Sequence, residues 1–261
     1  MTRFIDLNCD MGESYGTWNL GADEEIMPLI TSASVGCGFH GGDPHVMRKT
    51  VALAMRHGVA IGSHPSLPDL MGFGRRVMQV SPQELKDYIC YQTGALREFV
   101  RAAGRELQHM KLHGILQSML EKDETLSVAA AEALRESGGD LIMVTLAAGV
   151  SDRLSREAGL RVAAEGFADR AYDRNRNLVS RKIAGSVHTD PARAAEQAVM
   201  LATEGKVLTI DGATIDITVD TICCHGDTPG APGIVRSVRT ALEKAGCRIE
   251  PLGNWLGIQP A

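Results

Sequence analysis

Residues 34–44 read SVGCGFHGGDP, and this segment contains the parts of one β/α unit in order. An apolar stretch ends at Cys37, a glycine-rich turn carries His40, and Asp43 stands directly before Pro44. Asp is favoured as the residue that caps a helix N-terminus, and Pro is favoured at the first helical position. The segment therefore predicts a strand that leads through a polar turn into a helix.

The same order recurs along the chain and predicts an α/β fold. A capping box at residues 81–84, SPQE, starts the clearest helix. Asp211 and Gly212 lie between alternating residues and predict a β-hairpin. Residues 169–188 are too long and too charged for an ordinary connection, which indicates a functional loop. We expect one α/β domain over residues 1–261. Its predicted strands cover residues 4–9, 34–37, 59–62, 107–112, 141–144, 161–164 and 220–224.

The composition bounds the function classes. The 261 residues are 44% hydrophobic and 23% charged, which is enough to bury a sizeable core. A net charge of −5 lacks the basic footprint of a protein that binds nucleic acid or anionic membranes. No apolar run approaches the roughly 20 residues of a membrane helix, and Asp6 interrupts the position where a signal peptide is apolar. Because the six cysteines are scattered, as is typical of reduced thiols, we expect a cytoplasmic protein without nucleic acid or membrane as partner.

Polar side chains follow one predicted strand after another. In a parallel α/β protein every strand ends on the same face, so clusters that are distant in sequence converge on one site. A barrel builds its active site there, and an open sheet can use the same edge. The clusters lie at residues 8–13, 37–43, 63–65, 111–114, 165–170 and 224–227.

The residue types in these clusters suit hydrolysis. Carboxylates such as Asp10 and Asp227, together with imidazoles, can activate water and protonate a leaving nitrogen. Lys111 or Arg170 can stabilise developing negative charge. The same residue types could hold a divalent metal, although the HExxH spacing is absent, as are the common nucleotide-binding motifs. We expect the other histidines to be structural or, like His188 in its polar loop, solvated. Four histidines end a predicted strand beside Gly or Pro: His40, His64, His113 and His225.

Six motifs of the chain resemble the LamB/YcsF family. They occur in the family's order, from about residue 3 to residue 250. The motifs are DxNxDxGE at 6–13, CGFHxGDP at 37–44, HPxxPD at 64–69, GFGRR at 72–76, FADRxY at 167–172 and HGD at 225–227.

The resemblance implies a fold and an activity. The fold would be an irregular seven-stranded (β/α) barrel of the glycoside hydrolase/deacetylase type. The activity would be ATP-dependent opening of 5-oxoproline, or a related lactam, to the amino acid, with B-type and C-type subunits of 5-oxoprolinase as partners. The complex would supply ATP. The reaction needs it because an unstrained lactam is a stable amide, and phosphorylation of its oxygen would create a better electrophile.

The site residues follow from the motifs and the clusters. Those predicted to be nearest the chemistry are Asp10, His40, His64, Lys111 and His113. Those predicted to hold substrate or order the loops are Asn8, Glu13, Asp43, Arg170, His225 and Asp227. A divalent metal stays open. One alternative is a metal-dependent, deacetylase-like hydrolase of a sugar or small amide, with an ion between His40, His64 and an Asp. The other is a non-catalytic binding subunit.

One segment departs from the family's pattern. Residues 111–117 read KLHGILQ where the family has KPHGALY, so Gln117 replaces an aromatic hydroxyl. Ser66 and Leu67 stand where the family has Gly and Tyr. The lysine and the histidine of the segment are kept. These changes predict conserved chemistry behind an altered pocket wall.

Overall fold

The computed structural model describes residues 3–138 and 140–257. Its strands are β1 (Arg3–Met11), β2 (Ser32–Gly36), β3 (Ala60–His64), β4 (His109–Lys111), β5 (Ile142–Leu146), β6 (Val162–Phe167), β7 (Lys206–Leu208), β8 (Thr214–Asp216), β9 (Thr221–Cys223) and β10 (Cys247–Ile249). Its α-helices are α1 (Asp23–Ile26), α2 (Pro44–His57), α3 (Pro82–Ala102), α4 (Gly114–Leu120), α5 (Glu124–Glu136), α6 (Val150–Glu157), α7 (Pro191–Glu204) and α8 (Ala231–Lys244).

Parallel strands close into a barrel. Within the described residues, seven strands pair in the order β1-β2-β3-β4-β5-β6-β9, and β9 pairs again with β1. β10 extends the sheet outside this ring by pairing with the first residues of β1, from Arg3 to Ile5. The irregular seven-stranded (β/α) barrel is confirmed. All seven strands therefore end on one face, and the polar clusters meet there.

Two helices, α2 and α3, begin where the sequence predicts. Asp43 caps α2, because its side chain accepts the N–H groups of His45 and Val46, and Pro44 is the first helical residue. Ser81 and the Glu84 side chain form the predicted capping box of α3. None of the helices in the described part of the chain is long and apolar enough to cross a membrane.

Two predictions outside the barrel had different outcomes. The hairpin is confirmed, since β7 and β8 pair antiparallel around Asp211 and Gly212. The prediction that His188 is solvated is wrong, because only 3% of this residue is exposed. Its backbone N–H donates to the Asp169 carbonyl, and its ring contacts Gln197 at 3.2 Å, so the polar loop folds back onto the barrel.

Alternation along β1 separates the core from the site. Its apolar side chains are buried among the hydrophobic core residues, while the alternate residues Asp6 and Asn8 carry polar groups that form hydrogen bonds with residues in or next to other strands. Asp6 accepts hydrogen bonds from the hydroxyls of Thr31, Ser32 and Thr221. Asn8, two residues later, donates to Glu165 of β6 at 3.0 Å. The barrel thus has a polar axis that leads to Asp10.

Candidate active site

A buried ammonium group lies at the centre of the site. Lys111 ends β4, and its Nζ lies 2.8 Å from Asp10 Oδ1 and 2.8 Å from Glu165 Oε1. It also donates to Asn8 Oδ1 at 3.2 Å. Burial opposes the charged form of Lys111, but the charge of Asp10 raises the lysine pKa well above its usual value. Burial likewise opposes ionisation of Asp10, yet His64 and Lys111 hold the pKa of that carboxyl well below its usual range.

Three imidazoles and a carboxylate form a second cluster beside this lysine. Glu13 Oε1 lies 2.9 Å from His40 Nε2, 3.1 Å from His113 Nδ1 and 4.0 Å from His64 Nε2. The rings of His40 and His113 stack with 3.7 Å between centroids. One donor atom from each of the four residues lies within 4.8 Å of the others, a spacing that could hold a metal ion.

Backbone carbonyls fix the orientation of two of these rings. His64 Nδ1 lies 2.8 Å from the Lys111 carbonyl oxygen, and His113 Nε2 lies 2.9 Å from the Phe73 carbonyl oxygen. A carbonyl oxygen only accepts, so both of these ring nitrogens donate. The glycine-rich segment around Phe73 approaches closely, because a Cβ on Gly74, at φ +61°, would lie 2.7 Å from the His113 ring.

Burial and neighbouring charges shift the remaining pKa values. Burial, assisted by the charge of His113, lowers the pKa of His40 to about 3. Burial opposes ionisation of Glu13, but hydrogen bonds from His113 and His40 hold its pKa well below the usual value. For His64, burial is outweighed by Asp10, which raises the pKa of the imidazole. The cluster therefore favours an ionised Glu13 and a neutral His40.

A carboxylate–histidine dyad lies on the opposite wall. His225 Nδ1 lies 2.9 Å and 3.0 Å from the two oxygens of Asp169, and its ring stacks on Phe167 at 5.4 Å. Burial opposes ionisation of Asp169, but His225 lowers the pKa of this carboxyl. Because Nδ1 donates to Asp169, Nε2 of the neutral ring keeps its lone pair. This arrangement suits a general base.

A cavity of about 470 Å³ joins these groups, and arginines lie at its rim. Asp10, Lys111 and His225 are among its lining residues. Asp227 binds Arg75 at 2.7 Å and lies 3.7 Å from Arg181. The volume falls within the usual range for a small-molecule site. The cations at the rim suit a ligand that carries negative charge.

Most of the predicted site residues converge on this cavity. Those that line it are Asp10, Glu13, Lys111, His113, Arg170, His225 and Asp227. His40 and His64 contact this group through Glu13 and Asp10, and Asn8 lies beneath Lys111. Asp43 is elsewhere engaged: one oxygen caps α2 and the other accepts the Gly16 N–H at 2.7 Å.

Other groups at the site lie within the predicted clusters or motifs but were not among the predicted site residues. Glu165 is a lone charged residue in the otherwise uncharged strand VAAEGF, a signal that could have identified it. Asp169 stands beside Arg170 in the FADRxY motif, but only the structure pairs it with His225. Arg75 is likewise inside a family motif. The position of Arg75 at the rim of the cavity, where it binds Asp227, depends on how the segment 72–76 folds.

The altered wall segment also reaches the cavity. Gln117, in α4, lines it and is 9% exposed. Its Nε2 donates to Ser151 Oγ at 3.2 Å and to Glu121 Oε1 at 3.3 Å. Its Oε1 is buried and accepts no hydrogen bond from the described residues. The amide that replaces the family's tyrosine therefore has an unused acceptor.

Comparisons with known proteins agree with this architecture. The model of the LamB/YcsF family matches residues 5–257. The A-type subunit of 5-oxoprolinase from Pyrococcus furiosus is 48% identical over 252 residues, which cover 97% of this chain and 99% of that protein. The A-type subunit of 5-oxoprolinase from Bordetella pertussis is 47% identical over 250 residues, covering 96% and 99%.

Solved structures agree as well. The crystal structure of a lactam utilization protein from Thermus thermophilus superimposes with a TM-score of 0.90 at 45% identity, covering 95% of this chain and 99% of that one. A putative cellobiose-phosphate cleavage protein from Enterococcus faecalis shares the fold alone, with a TM-score of 0.57 at 16% identity over 97% of this chain and 99% of that one. The match to the family model, the near-full-length relatives and the six motifs together show that the chain belongs to the LamB/YcsF family.

Proposed function

We propose that the chain is the A-type subunit of an ATP-dependent lactam hydrolase that opens 5-oxoproline or a related lactam to the amino acid. B-type and C-type subunits would be its partners. The observation that carries this proposal is the cavity itself, where the Asp169–His225 dyad, the Lys111 ammonium and a cationic rim meet. Relatives named as the A-type subunit of 5-oxoprolinase, matched over 97% of this chain, support it.

The cavity suits a small cyclic amide with a carboxylate. Arginine guanidinium groups bind carboxylates through paired hydrogen bonds, and Arg170 and Arg181 line this cavity. Phe167 adds an apolar wall beside His225. We propose that the substrate carboxylate lies toward the arginines and the lactam carbonyl toward Lys111.

The chemistry follows from which atoms can exchange protons or stabilise charge. In the proposed reaction, His225 Nε2 takes a proton from water, the water oxygen bonds to the lactam carbonyl carbon, and the C–N bond breaks. The same imidazole then returns the proton to the leaving nitrogen. Lys111, held by Asp10 and Glu165, stabilises the negative charge that develops on the carbonyl oxygen.

The remaining predicted groups would order this constellation. Asp169 fixes the tautomer of His225. His40, His64 and His113 lie on the other side of Asp10, close to the reacting bond in this proposal. In the complex, the lactam oxygen would take the γ-phosphoryl group of ATP with release of ADP, which makes a stable amide more electrophilic. After water adds to the carbon, this group would leave as inorganic phosphate.

One observation favours a second candidate function. The Glu13 and histidine cluster has the spacing of a metal site, which also suits a metal-dependent hydrolase of a sugar amide or another small amide. Such an enzyme would work without ATP or partner subunits, so the two candidates differ in what they require.

The experiment is a reconstitution from separately purified subunits. Glutamate formation from 5-oxoproline is measured with this chain, the B-type and C-type subunits and ATP, and then with each component left out. The proposal expects turnover only with all components present. An N-acetylated sugar without ATP serves as the competing substrate. Its deacetylation by this chain alone, with no lactam opening, would establish the second candidate instead.

A further inference from the structure

Two buried histidines face each other with unprotonated nitrogens. His64 donates from Nδ1 to the Lys111 carbonyl, and His113 donates from Nε2 to the Phe73 carbonyl. In the neutral rings this leaves lone pairs on His64 Nε2 and His113 Nδ1, which are 3.0 Å apart. Two lone pairs at that distance repel each other. A positive centre between or beside them, either a proton or a metal ion, removes the conflict.

A shared proton accounts for only part of the cluster. It would join His64 to His113 and could pair with Glu13, 3.1 Å from His113 Nδ1, or with Asp10, 3.4 Å from His64 Nε2, but His40 would gain nothing from it. In the part of the chain described here, Glu13 forms ion pairs with histidines alone. A largely buried carboxylate is stabilised by a positive charge beside it. A metal ion supplies that charge and engages all four side chains.

The distances between the donor atoms fit one ion. Metal bonds of about 2.0–2.1 Å in a tetrahedral arrangement place neighbouring ligand atoms about 3.3 Å apart. The separations here are 3.0 Å for His64–His113, 3.1 Å for His113–Glu13, 2.9 Å for His40–Glu13 and 4.0 Å for His64–Glu13. These four values lie on both sides of the expected spacing, and all six separations lie within 4.8 Å. Small side-chain shifts would bring all four atoms onto one ion.

Two of the three rings have the surroundings of metal-binding histidines, while Nδ1 of the third, His40, is buried without a hydrogen-bond partner among the described residues. A ligating histidine usually donates its other ring nitrogen to a carbonyl or carboxylate, which fixes the ring and raises its basicity. His64 and His113 both do so. Three imidazoles and one carboxylate favour zinc and its neighbours in the first transition row over calcium or magnesium. Glu13 and His113 also line the cavity, so an ion could enter from it.

We propose that Glu13, His40, His64 and His113 form a binding site for one divalent transition-metal ion of the zinc class. The proposal does not rest on the lactam assignment, because it concerns the four side chains and no substrate.

The test measures metal binding without substrate, ATP or partner subunits. The full chain is stripped with a chelator and titrated with Zn²⁺ by calorimetry, and bound metal is counted by elemental analysis. Cobalt(II) is added in parallel, since its visible spectrum reports a tetrahedral site of nitrogen and oxygen ligands. We expect one equivalent of metal per chain and the cobalt spectrum of a tetrahedral site.

Variants locate the ion. Glu13→Gln and His113→Gln keep similar side-chain volumes. Each should weaken Zn²⁺ binding by at least about 100-fold, because loss of a residue that only supports a ligand already costs up to about 100-fold. His57→Gln is the control, because His57 lies exposed at the end of α2 and should bind as the wild type does.

Two results would overturn the proposal. One is wild-type protein that takes up no stoichiometric Zn²⁺ and gives no tetrahedral cobalt spectrum. The other is a folded Glu13→Gln variant that binds as tightly as the wild type. If a variant fails to fold by circular dichroism, the wild-type cobalt spectrum decides. Failure of lactam turnover would leave these binding measurements unaffected, so the two proposals fail separately.

Discussion

Replacement of Lys111 by methionine should destabilise the fold strongly. The ammonium group lies 2.8 Å from both Asp10 and Glu165; it is buried with Glu165, and Asp10 is only partly exposed. Methionine has a similar length without the charge, so Lys111→Met leaves the buried Glu165 without its cation and leaves Asp10 with His64, 3.4 Å away, as its remaining partner. Removing one partner of a buried ion pair costs about 3–5 kcal/mol. We expect the free energy of unfolding to fall by about that amount.

The assay is urea denaturation with linear extrapolation to water. Lys86→Met is the matched control, because Lys86 pairs with Glu132 and Glu136 at the surface and should lose at most about 1 kcal/mol. Adding Glu165→Gln to Lys111→Met should recover part of the loss by removing one uncompensated charge. A stabilising role for the Lys111 ammonium is refuted if Lys111→Met costs no more than Lys86→Met, or if the second substitution deepens the loss.

Three further outcomes are expected. Asp169→Asn should lower kcat for lactam opening by about 100-fold or more and change KM less, because His225 loses the partner that fixes its tautomer. A kcat equal to that of the wild type in steady-state kinetics would contradict this. Burial raises the pKa of Asp6 from 3.8 to about 6, so the folded state binds the Asp6 proton more tightly than the unfolded state does. The free energy of unfolding should therefore fall by about 3 kcal/mol as the pH rises from 4 through 6. Denaturation across that range should show a flatter profile for Asp6→Asn, and an unchanged profile would exclude Asp6 as the cause. Gln117→Tyr should raise the ratio of kcat/KM for 5-oxoproline to kcat/KM for a second lactam by about 5-fold to 10-fold, which corresponds to one hydrogen bond. A fall in this ratio would show that the Gln117 amide already suits 5-oxoproline.

Local signals predicted the elements well. The capping residue Asp43, the Pro at position 44 and the capping box of α3 act through neighbouring backbone groups, so they can be read from sequence alone. β10 was not predicted, because a three-residue strand gains its structure from pairing with β1 and not from its own pattern. Closure of β9 on β1 is likewise a tertiary property, and it was anticipated only through the family resemblance.

The site was predictable in place and less so in detail. Because the strand ends of a parallel barrel converge, the sequence predicted that the clusters of Asp10, Lys111 and His225 would meet, and all three residues line one cavity. An Asp directly before a helical Pro can be either a helix cap or a site residue, so the sequence could not decide which role Asp43 has. In the structure its carboxylate caps α2. His188 shows the same limit, since a polar loop that folds back becomes buried only through tertiary contacts.

The most direct test of the account is the rate of 5-oxoproline ring opening by the reconstituted complex when this chain carries His225→Asn. The variant should assemble with the partner subunits as the wild type does, measured by size-exclusion chromatography. Its ATP-dependent formation of glutamate should fall by about 100-fold or more, because the proposed base is gone. An assembled variant complex that opens the lactam at the wild-type rate would contradict the central claim that His225 in this cavity carries out the chemistry.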